Sequence, residues 1–425
     1  MVVNAIRGIK RREGCEYSDF AVLYRTNAQS RVFEDTLRKE AMPYRIYGGL
    51  SFYQRKEIKD VLAYFRLAVN PNDEEAFKRV INYPTRGIGQ TTIGKILATA
   101  TQHEVSLWSV ISNPEAYQFG VSKGTLTKIM QFREMIAGFV DQAQKLPANQ
   151  IGTMIVKQSG IIADIYQDST PENLSRQENV EELINGMQDF CDMRMEEGNE
   201  NISLSDYLSE VSLLSDVDTD KSDDEHKVTL MTIHSAKGLE FGTVFVVGLE
   251  EGLFPSDMVS GNPREMEEER RLFYVAITRA KTHCFLSYAQ CRFRYGQMEF
   301  SAPSRFLKDI DPKYLDKQQS MFSSRRNIYD DVQLPWARRK EQGASLHSKP
   351  STLPPRPSTV NCQLSTVHSQ LSTLSIGKHI LHNRFGRGQI LRIEGTGDNT
   401  KATVQFENVG TKQLLLKFAK FEVLD

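Results

Sequence analysis

Residues 228–249 read VTLMTIHSAKGLEFGTVFVVGL and contain two apolar runs, Val228 to Thr232 and Thr243 to Leu249. Short apolar runs bounded by polar turns are typical of buried strands. The charged segment EMEEERRLFYVAITRAK, residues 265–281, predicts a helix, and HCFLSYA after it predicts a third strand. Because strands alternate with helices here, this part of the chain is predicted to be α/β.

The same alternation opens the chain. The stretch YSDFAVLYRTNAQSR contains an apolar strand from Phe20 to Tyr24, and RVFEDTLRKE and YRIYGG predict a helix and a further strand. From about Glu57 to Leu214 the pattern changes to long amphipathic helices. The acidic stretch LSDVDTDKSDDEHK that follows predicts an exposed linker. The simplest account is one α/β domain that is interrupted by a helical insertion.

The C-terminal quarter has a different composition. Residues 338–373 are rich in Ser, Thr, Pro and Gln and contain an internal repeat, STVNCQL followed by STVHSQL. Apolar residues recur there at heptad spacing, but a coiled coil needs about three or four heptads, so a disordered linker is the favoured interpretation. Residues 379–416 show short apolar strands separated by GRG, GTGDN and NVGT, which predicts a small β-barrel.

The segment RGIGQTTIGK, residues 86–95, contains G-x-x-x-x-G-K and so is similar to a phosphate-binding loop. Such a loop needs Ser or Thr after its Lys and follows a buried strand. Here Ile96 follows Lys95, and the residues before it have helical spacing. The prediction is therefore a helix, a glycine turn and a second helix capped by Thr91 or Thr92, whose free amides suit a DNA phosphate. A helix hairpin without any ligand is the alternative.

Composition limits the classes of protein that need to be considered. The 425 residues suffice for two to four domains, and 40% hydrophobic with 25% charged residues is ordinary for a soluble globular protein. The sequence contains neither a long apolar run nor a signal-peptide pattern, so we expect a cytoplasmic protein without membrane contact. The five cysteines have no zinc spacing, so no metal site is predicted in this chain and reduced thiols are favoured. With a net charge of −1, nucleic acid would have to bind a local basic or amide-rich surface.

Two motifs identify a family. TLMTIHSAKGLEF and EEERRLFYVAITRAK resemble signature motifs of the UvrD/PcrA/Rep helicases, which are superfamily-one, 3′-to-5′ DNA translocases. DFAVLYRTNAQSRVFE, GGLSFYQRKEIKDVLAYFR and PTRGIG resemble further motifs of that family, in the same order. The resemblance covers roughly residues 1–310, and the terminal barrel resembles the family's Tudor-like tail. Many long motifs in one order are far more specific than one short motif.

The resemblance implies a fold and its parts. The family is a motor of two RecA-like lobes, with ATP between them and single-stranded DNA across them. The fold expected here is α/β: a RecA-like parallel-sheet lobe interrupted by an all-α insertion, plus a small SH3/Tudor-like barrel. The first lobe, with its P-loop and its magnesium-binding carboxylates, is expected to be missing from this chain. The expected parts are the second lobe at 1–56 and 226–315, the duplex-binding insertion at 57–225, a disordered linker at 316–375 and the barrel at 376–425.

The resemblance also assigns nucleotide-binding residues. Arg279, in ITRAK at the end of the charged helix, corresponds to an arginine finger, which is worth about 10³–10⁵ in rate. Without the resemblance, an Arg near a helix C-terminus is more often a surface residue that compensates the helix dipole. Glu240 corresponds to the acceptor of the ATP ribose hydroxyl, and Lys237 to a residue that couples nucleotide to DNA. Each could otherwise be an ordinary solvated side chain.

DNA-binding residues follow in the same way. The loop after the strand at Val228 corresponds to one that grips single-stranded DNA, and the turn after the first strand has the matching position. A lone His in such a loop is otherwise more often a core residue. The single-strand contacts implied are Arg25, Asn27, Thr232, His234 and Ser235. The duplex contacts implied are Thr85, Arg86, Gly87, Ile88 and Gly89. Where some members carry a DNA-contacting His after EEGLFP, this chain has Ser256, so that contact is not carried over.

The function implied is that of the C-terminal portion of an ATP-dependent 3′-to-5′ DNA helicase in DNA repair or replication. ATP with Mg²⁺ would be its cofactor, and single- and double-stranded DNA and the missing first lobe its partners. RNA polymerase is a further partner, through the barrel. Without the P-loop lobe the chain is expected to be inactive. The alternative is a non-catalytic DNA-binding or polymerase-binding protein derived from a helicase.

Overall fold

The structure is a computed structural model that describes residues 1–168, 170–215, 226–259, 261–294, 297–316, 374–382, 385–395, 400–406, 410–419 and 421–424. Most of the acidic stretch and nearly all of the predicted linker at 316–375 lie outside these residues. None of the described helices is long and apolar enough to cross a membrane.

Thirteen α-helices are present in the described residues. Their bounds are α1 Val2–Glu13, α2 Ser30–Lys39, α3 Lys56–Val69, α4 Glu74–Val80, α5 Gln90–His103, α6 Leu107–Ser112, α7 Pro114–Tyr117, α8 Lys123–Ala143, α9 Ala148–Gln158, α10 Ile161–Ile165, α11 Pro171–Glu196, α12 Leu204–Ser215 and α13 Pro263–Ile277. The strands are β1 Phe20–Tyr24, β2 Tyr44–Ile46, β3 Val228–Thr232, β4 Phe241–Val246, β5 Ala280–Leu286, β6 Cys291–Arg294, β7 Gln297–Phe300, β8 His379–His382, β9 Gly386–Glu394, β10 Lys401–Phe406, β11 Gly410–Leu415 and β12 Phe421–Val423.

The first five strands form one parallel sheet in the order β2-β3-β1-β4-β5. This confirms the predicted α/β class, and β1 and β3 have the predicted bounds. The strand predicted from Thr243 to Leu249 was placed too late, since β4 runs from Phe241 to Val246. Gly248 adopts a positive φ of 74° just beyond β4, and this turns the chain away from the sheet.

The sequence prediction overlooked helix α1, which packs against one face of this sheet. Val3, Ile6 and Ile9 are buried and pack in the same cluster as Phe20 and Val22 of β1. Apolar side chains three residues apart lie on one face of a helix. The pattern was therefore present in the sequence at residues 3, 6 and 9.

Helices α3 to α12 all lie between β2 and β3 in the chain. These two strands are hydrogen-bonded neighbours, with Tyr44 opposite Val228 and Ile46 opposite Leu230. The helical insertion therefore leaves the sheet and returns to it at adjacent strands. It has its own apolar core, with Phe65, Phe77, Phe132, Phe139 and Leu183 among the buried side chains.

A buried arginine joins the sheet domain to the insertion. Arg31 of α2 donates from Nε to Glu182 at 2.7 Å and from Nη2 to Asp189 at 3.2 Å, both on α11. It approaches α11 closely because residue 186 is Gly, where a Cβ would lie 2.7 Å from Nη1. Asp35 also accepts from Arg31, at 3.2 Å. Burial raises the pKa of Asp35 to about 6, because the loss of hydration outweighs the attraction of the nearby Arg31 and Arg38 cations.

The C-terminal strands form the predicted small barrel-like sheet, with the antiparallel order β11-β10-β9-β8-β12. Its buried side chains include Ile380, Ile390, Val404 and Phe406. Gly388 is required for packing, since a Cβ there would lie 2.5 Å from the Phe406 ring. The fold class predicted from sequence is thus confirmed for both the α/β part and the terminal β part.

Candidate functional site

The carboxyl ends of β1 and β3 meet at one edge of the parallel sheet. The Ile233 amide donates to the Tyr24 carbonyl at 2.9 Å, which holds the two chain segments together as they leave the sheet. Open α/β sheets place ligands at this edge. Arg25 and the loop that begins at Thr232 therefore lie side by side, as sequence reasoning predicted.

Arg25 is held by an ion pair that sequence reasoning missed. Its Nη2 donates to Glu269 of α13 at 2.7 Å and its Nε donates to the same carboxylate at 3.0 Å. Glu269 is only 5% exposed, so this pair balances a buried negative charge. The guanidinium of Arg25 is consequently oriented and largely neutralised, which leaves it less charge for a phosphate than the sequence suggested.

The loop after β3 carries two hydroxyl side chains and one imidazole side chain. The hydroxyls of Thr232 and Ser235 lie 3.0 Å apart, and the Ser235 amide donates to Thr232 Oγ1 at 3.3 Å. His234 between them is exposed to solvent. Partial burial of its ring, together with the nearby charge of Arg25, lowers the pKa of His234. The imidazole is therefore mainly neutral at pH 7 and can serve as a hydrogen-bonding or stacking group.

Asn27 occupies the turn after β1. Its side chain is exposed, and its carbonyl accepts from Arg55 Nη2 at 3.0 Å. Arg55 also donates to Ser30 Oγ at 2.8 Å and to Asn179 Oδ1 at 2.6 Å. The backbone of this turn is thus fixed by Arg55, which is itself bonded to Asn179 of the insertion, and the Asn27 side chain faces solvent.

Arg279 follows helix α13 directly. Arg279 was expected at the end of this helix, but the helix ends two residues earlier, at Ile277. The guanidinium donates from Nε to the Val275 carbonyl at 3.1 Å and from Nη1 to the Leu239 carbonyl at 2.9 Å. The bond to Val275 satisfies a carbonyl at the end of the helix, which is the structural alternative considered for this arginine from the sequence. The bond to Leu239 fixes the side chain against the loop before β4.

Glu240 lies next to this bond. The amide of Phe241 donates to the Arg279 carbonyl at 2.9 Å, so Glu240 is flanked on both sides by contacts to Arg279. Glu240 and Lys237 are exposed, and Gly238 between them adopts a φ of 87°. The structure therefore places Arg279 and Glu240 next to each other.

A single loop, residues 233–240, joins the two sets of residues. It begins at the carboxyl end of β3 beside Arg25, and it ends at the start of β4 beside Arg279. Helix α13 runs along the same path, with Glu269 on Arg25 and Val275 on Arg279. Both ends of the loop thus lie beside an arginine that contacts helix α13.

The glycine turn lies between α4 and α5, so the predicted helix, turn and helix are confirmed. Gly87 has a φ of 71°, whereas Gly89 has a φ of −75° and is itself the N-cap of α5. The proposed caps Thr91 and Thr92 were wrong, since both lie inside the first turn of α5. The amides of Thr92 and Ile93 donate to the Gly89 carbonyl at 2.9 and 3.2 Å, so the amides of Gln90 and Thr91 are the ones left without an acceptor within the helix.

The side chains of the turn have different roles. Arg86 points inward and donates to the carbonyls of Val80 at 2.9 Å and Ser159 at 2.8 Å, and to the Tyr64 hydroxyl at 2.6 Å. Ile88 is fully buried, so Arg86 and Ile88 support the turn from below. Thr85, Gly87 and Gly89 are exposed.

Two further residues shape the turn and were missed in the sequence. Asn82 Oδ1 accepts from the amides of Arg86 and Ile88, both at 3.0 Å. Lys128 of α8 approaches from outside, with Nζ 2.6 Å from where a Cβ of Gly87 would be. The role of Asn82 could have been predicted, because an Asn just after a helix is a recognisable turn signal. The role of Lys128 could not, because it lies 41 positions after Gly87 and no local pattern links the two.

Ser256 has a local role. Its hydroxyl accepts from the Met258 amide at 3.4 Å. In the part of the chain that the structure describes, no group of three or more His, Cys, Asp or Glu side chains is placed to hold a metal ion.

Comparisons with known proteins agree with these observations. The family described as UvrD-like helicase C-terminal domain matches residues 1–291, and the PcrA/UvrD tudor domain matches residues 376–422. The protein named ATP-dependent DNA helicase PcrA from Leuconostoc citreum is 36% identical over 425 residues, which is 100% of this chain and 55% of that protein. Proteins of the same name from Staphylococcus aureus strain NCTC 8325 and from Staphylococcus epidermidis are each 35% identical, over 97% and 96% of this chain and 53% and 52% of their own length. The chain thus spans about half the length of these relatives.

Proposed function

The chain belongs to the UvrD-like helicase family, and from that premise we propose that it forms the C-terminal portion of an ATP-dependent 3′-to-5′ DNA helicase. In this proposal it supplies the arginine finger, one side of the ATP cleft, a grip on single-stranded DNA and a contact to duplex DNA. It is inactive until a P-loop lobe completes the cleft. The observation that carries the proposal is the loop 233–240, which joins the Arg279 site to the predicted DNA-binding edge.

The nucleotide side of the proposal rests on Arg279 and Glu240. A guanidinium suits the negative charge that spreads over phosphate oxygens during phosphoryl transfer, and a carboxylate suits a ribose hydroxyl. Arg279 is oriented by the carbonyls of Leu239 and Val275, so little side-chain freedom is lost when a phosphate approaches. ATP with Mg²⁺ supplies the phosphoryl group and the metal, whose ligands we place on the P-loop lobe.

Single-stranded DNA is assigned to the carboxyl edge of the sheet. Thr232, Ser235 and Asn27 offer uncharged hydrogen-bonding groups, and His234 offers a mainly neutral ring for stacking. Such groups bind backbone and bases without reading sequence, as a translocating motor requires. Arg25 is the weakest member of this set, because Glu269 already occupies its guanidinium.

Duplex DNA is assigned to the glycine turn. The exposed backbone at Gly87 and Gly89 and the first amides of α5 form a surface that suits a phosphate, and Lys128 adds a positive charge beside it. Arg86 and Ile88 support this surface from within rather than touching DNA through their side chains. The insertion would thereby hold the duplex while the sheet edge holds the single strand.

The remaining parts of the proposal concern cellular context. The terminal barrel is assigned to a protein partner, RNA polymerase, and the whole protein to DNA repair or replication in the cytoplasm. The tudor match at residues 376–422 supports a separate binding role for the barrel. Exposed strand edges allow such a small sheet to accept a strand from a partner.

The decisive experiment begins with the reading frame upstream of the Met1 codon. We expect it to encode G-x-x-x-x-G-K followed by Ser or Thr, and the joined protein to unwind a duplex that carries a 3′ tail but not one that carries a 5′ tail. A control with Lys of that motif changed to Ala should bind DNA without unwinding it. If no P-loop lobe is encoded there, the chain is instead a non-catalytic DNA-binding or polymerase-binding protein derived from a helicase.

A further inference from the structure

The end of helix α11 touches the terminal barrel. Helix α11 ends at Glu196, and Gly198, with a φ of 70°, reverses the chain two residues later. The Glu196 carboxylate lies 3.9 Å from Nε2 of His382, and Glu197 lies 3.4 Å from Nζ of Lys412. We call residues 196–198 the acidic turn. Two successive carboxylates of the insertion thus face two basic side chains of the barrel.

The backbone of the acidic turn also approaches the barrel closely. A Cβ on Gly198 would lie 3.6 Å from Lys401 Cε and 3.8 Å from Leu415 Cβ, which is ordinary van der Waals contact. These residues lie opposite one another at the paired ends of β10 and β11. The acidic turn therefore contacts three strands of the barrel, β8, β10 and β11. The contact is not limited to a single side chain of the barrel.

The centre of this contact is buried. Glu196 is 7% exposed and His382 is 1% exposed. A carboxylate is costly to bury without a compensating charge or hydrogen bond, and His382 provides a positive partner whenever its ring is protonated. On its other side the His382 ring stacks on Phe385 at 4.7 Å and meets the edge of Phe406 at 5.9 Å. The contact therefore reaches into the barrel core.

We propose that the barrel is an intramolecular docking module whose partner is the acidic turn at the end of α11. The docked barrel fixes the far end of the longest helix of the insertion. Lys412 and Lys401 lie against the acidic turn in this state, so they are not presented to DNA. The proposal goes beyond the helicase function, because it concerns where the barrel sits within its own chain.

Separation after cleavage tests the proposal on the complete chain. A protease site inserted between residues 340 and 350 allows the barrel to be cut from the remainder after folding, and size-exclusion chromatography then reports whether both pieces elute together. We expect them to co-elute in the wild type. In Glu196→Lys/Glu197→Lys we expect at least about a tenfold loss of barrel retention, from repulsion between like charges. Lysine near a helix C-terminus suits the helix dipole, so α11 should remain folded, and circular dichroism checks this.

Two further variants separate specific docking from a general charge effect. Glu197→Lys combined with Lys412→Glu should restore retention relative to Glu197→Lys alone. Glu200→Lys makes the same charge change on an exposed residue for which the structure shows no barrel contact, and retention should not change. Hydrogen exchange in residues 410–415 should rise in the double Lys variant and stay low in the Glu200 control. Loss of the wild-type barrel after cleavage, or equal retention in all variants, would overturn the proposal.

Discussion

The guanidinium of Arg279 donates a hydrogen bond to the carbonyl of Leu239, 40 positions earlier in the chain, at 2.9 Å. This bond places the arginine beside Glu240 and at the end of the loop that starts at the proposed DNA-binding edge of the sheet. It also means that the side chain is oriented before any nucleotide arrives. The predictions that follow depend on this site, on the glycine turn, on the buried charges around Arg31 and on the barrel.

The 425-residue chain alone should not hydrolyse ATP. No segment of it contains a complete phosphate-binding loop, and Ile96 stands where a magnesium-binding hydroxyl would be needed. Phosphate release should remain at background with and without single-stranded DNA, with the Leuconostoc citreum relative as the positive control. DNA-stimulated hydrolysis by the purified chain would show that this prediction is wrong.

In a protein that also contains the P-loop lobe, Arg279→Ala should lower kcat by about 10³-fold or more, because the guanidinium acts on charge that develops in the transition state. KM for ATP should change much less. Arg271→Ala, an exposed change on helix α13, is the matched control and should leave kcat within about twofold. Equal effects of the two variants, or a drop in kcat explained by a lower melting temperature, would remove Arg279 from catalysis.

Gly89→Ala should weaken binding to duplex DNA severalfold and leave binding to single-stranded DNA unchanged. Its φ is −75° and nothing lies within 4 Å of the added Cβ, so the turn should stay folded while the methyl group obstructs the amides. Gly87→Ala should instead destabilise the turn by about 1–2 kcal/mol, since its φ is positive. Fluorescence anisotropy with both DNA forms separates these effects. Equal loss for both DNA forms in Gly89→Ala would point to unfolding instead.

Asp35→Asn should remove part of the pH dependence of folding. The pKa of Asp35 is about 6 in the folded chain, above its ordinary value of 3.8. The folded state therefore binds the Asp35 proton more tightly than the unfolded state does. The contribution of this proton to the free energy of unfolding is lost as pH rises from about 4 to about 6, and it amounts to at most about 3 kcal/mol. Urea unfolding at pH 4.5 and 7.5 should show a smaller difference for Asp35→Asn. Asp189→Asn, which changes a more exposed partner of Arg31, should keep the wild-type difference.

Deleting residues 376–425 from a protein that contains both motor lobes should abolish association with RNA polymerase and leave unwinding nearly intact. The tudor-like sheet has its own core, so its removal should not unfold the α/β domain. A pull-down and an unwinding assay on the same deletion decide this. Polymerase binding that persists, or unwinding that collapses, would assign the barrel to DNA or to the motor.

Much of the fold could be predicted from local sequence patterns. The strands at Phe20 and Val228 were predictable because each is a continuous apolar run, and the helix before Arg279 because its charges flank apolar residues at helical spacing. The motif resemblance supplied the order of the domains. Strand β4 was displaced by two residues at its start because hydrogen bonding to Arg279, not apolar composition, decides where it begins.

The missed features depend on residues that are distant in sequence. Glu269 pairs with Arg25 across 244 positions, and nothing in either segment indicates this. Arg86 looked like a DNA-binding cation, yet the carbonyl of Ser159 and the hydroxyl of Tyr64 draw its guanidinium inward. A basic residue in an exposed motif is equally consistent with both orientations until its acceptors are located.

The adjacency of β2 and β3 has a topological consequence. Parallel neighbours need a crossover connection, for which about a dozen residues in a single helix are enough. Here helices α3 to α12 make that connection. The insertion is thus an enlarged βαβ crossover. It lies at a point where the chain has to leave the sheet in any case. A shortened protein in which one helix links Ile46 to Val228 would keep every strand pairing of the parallel sheet.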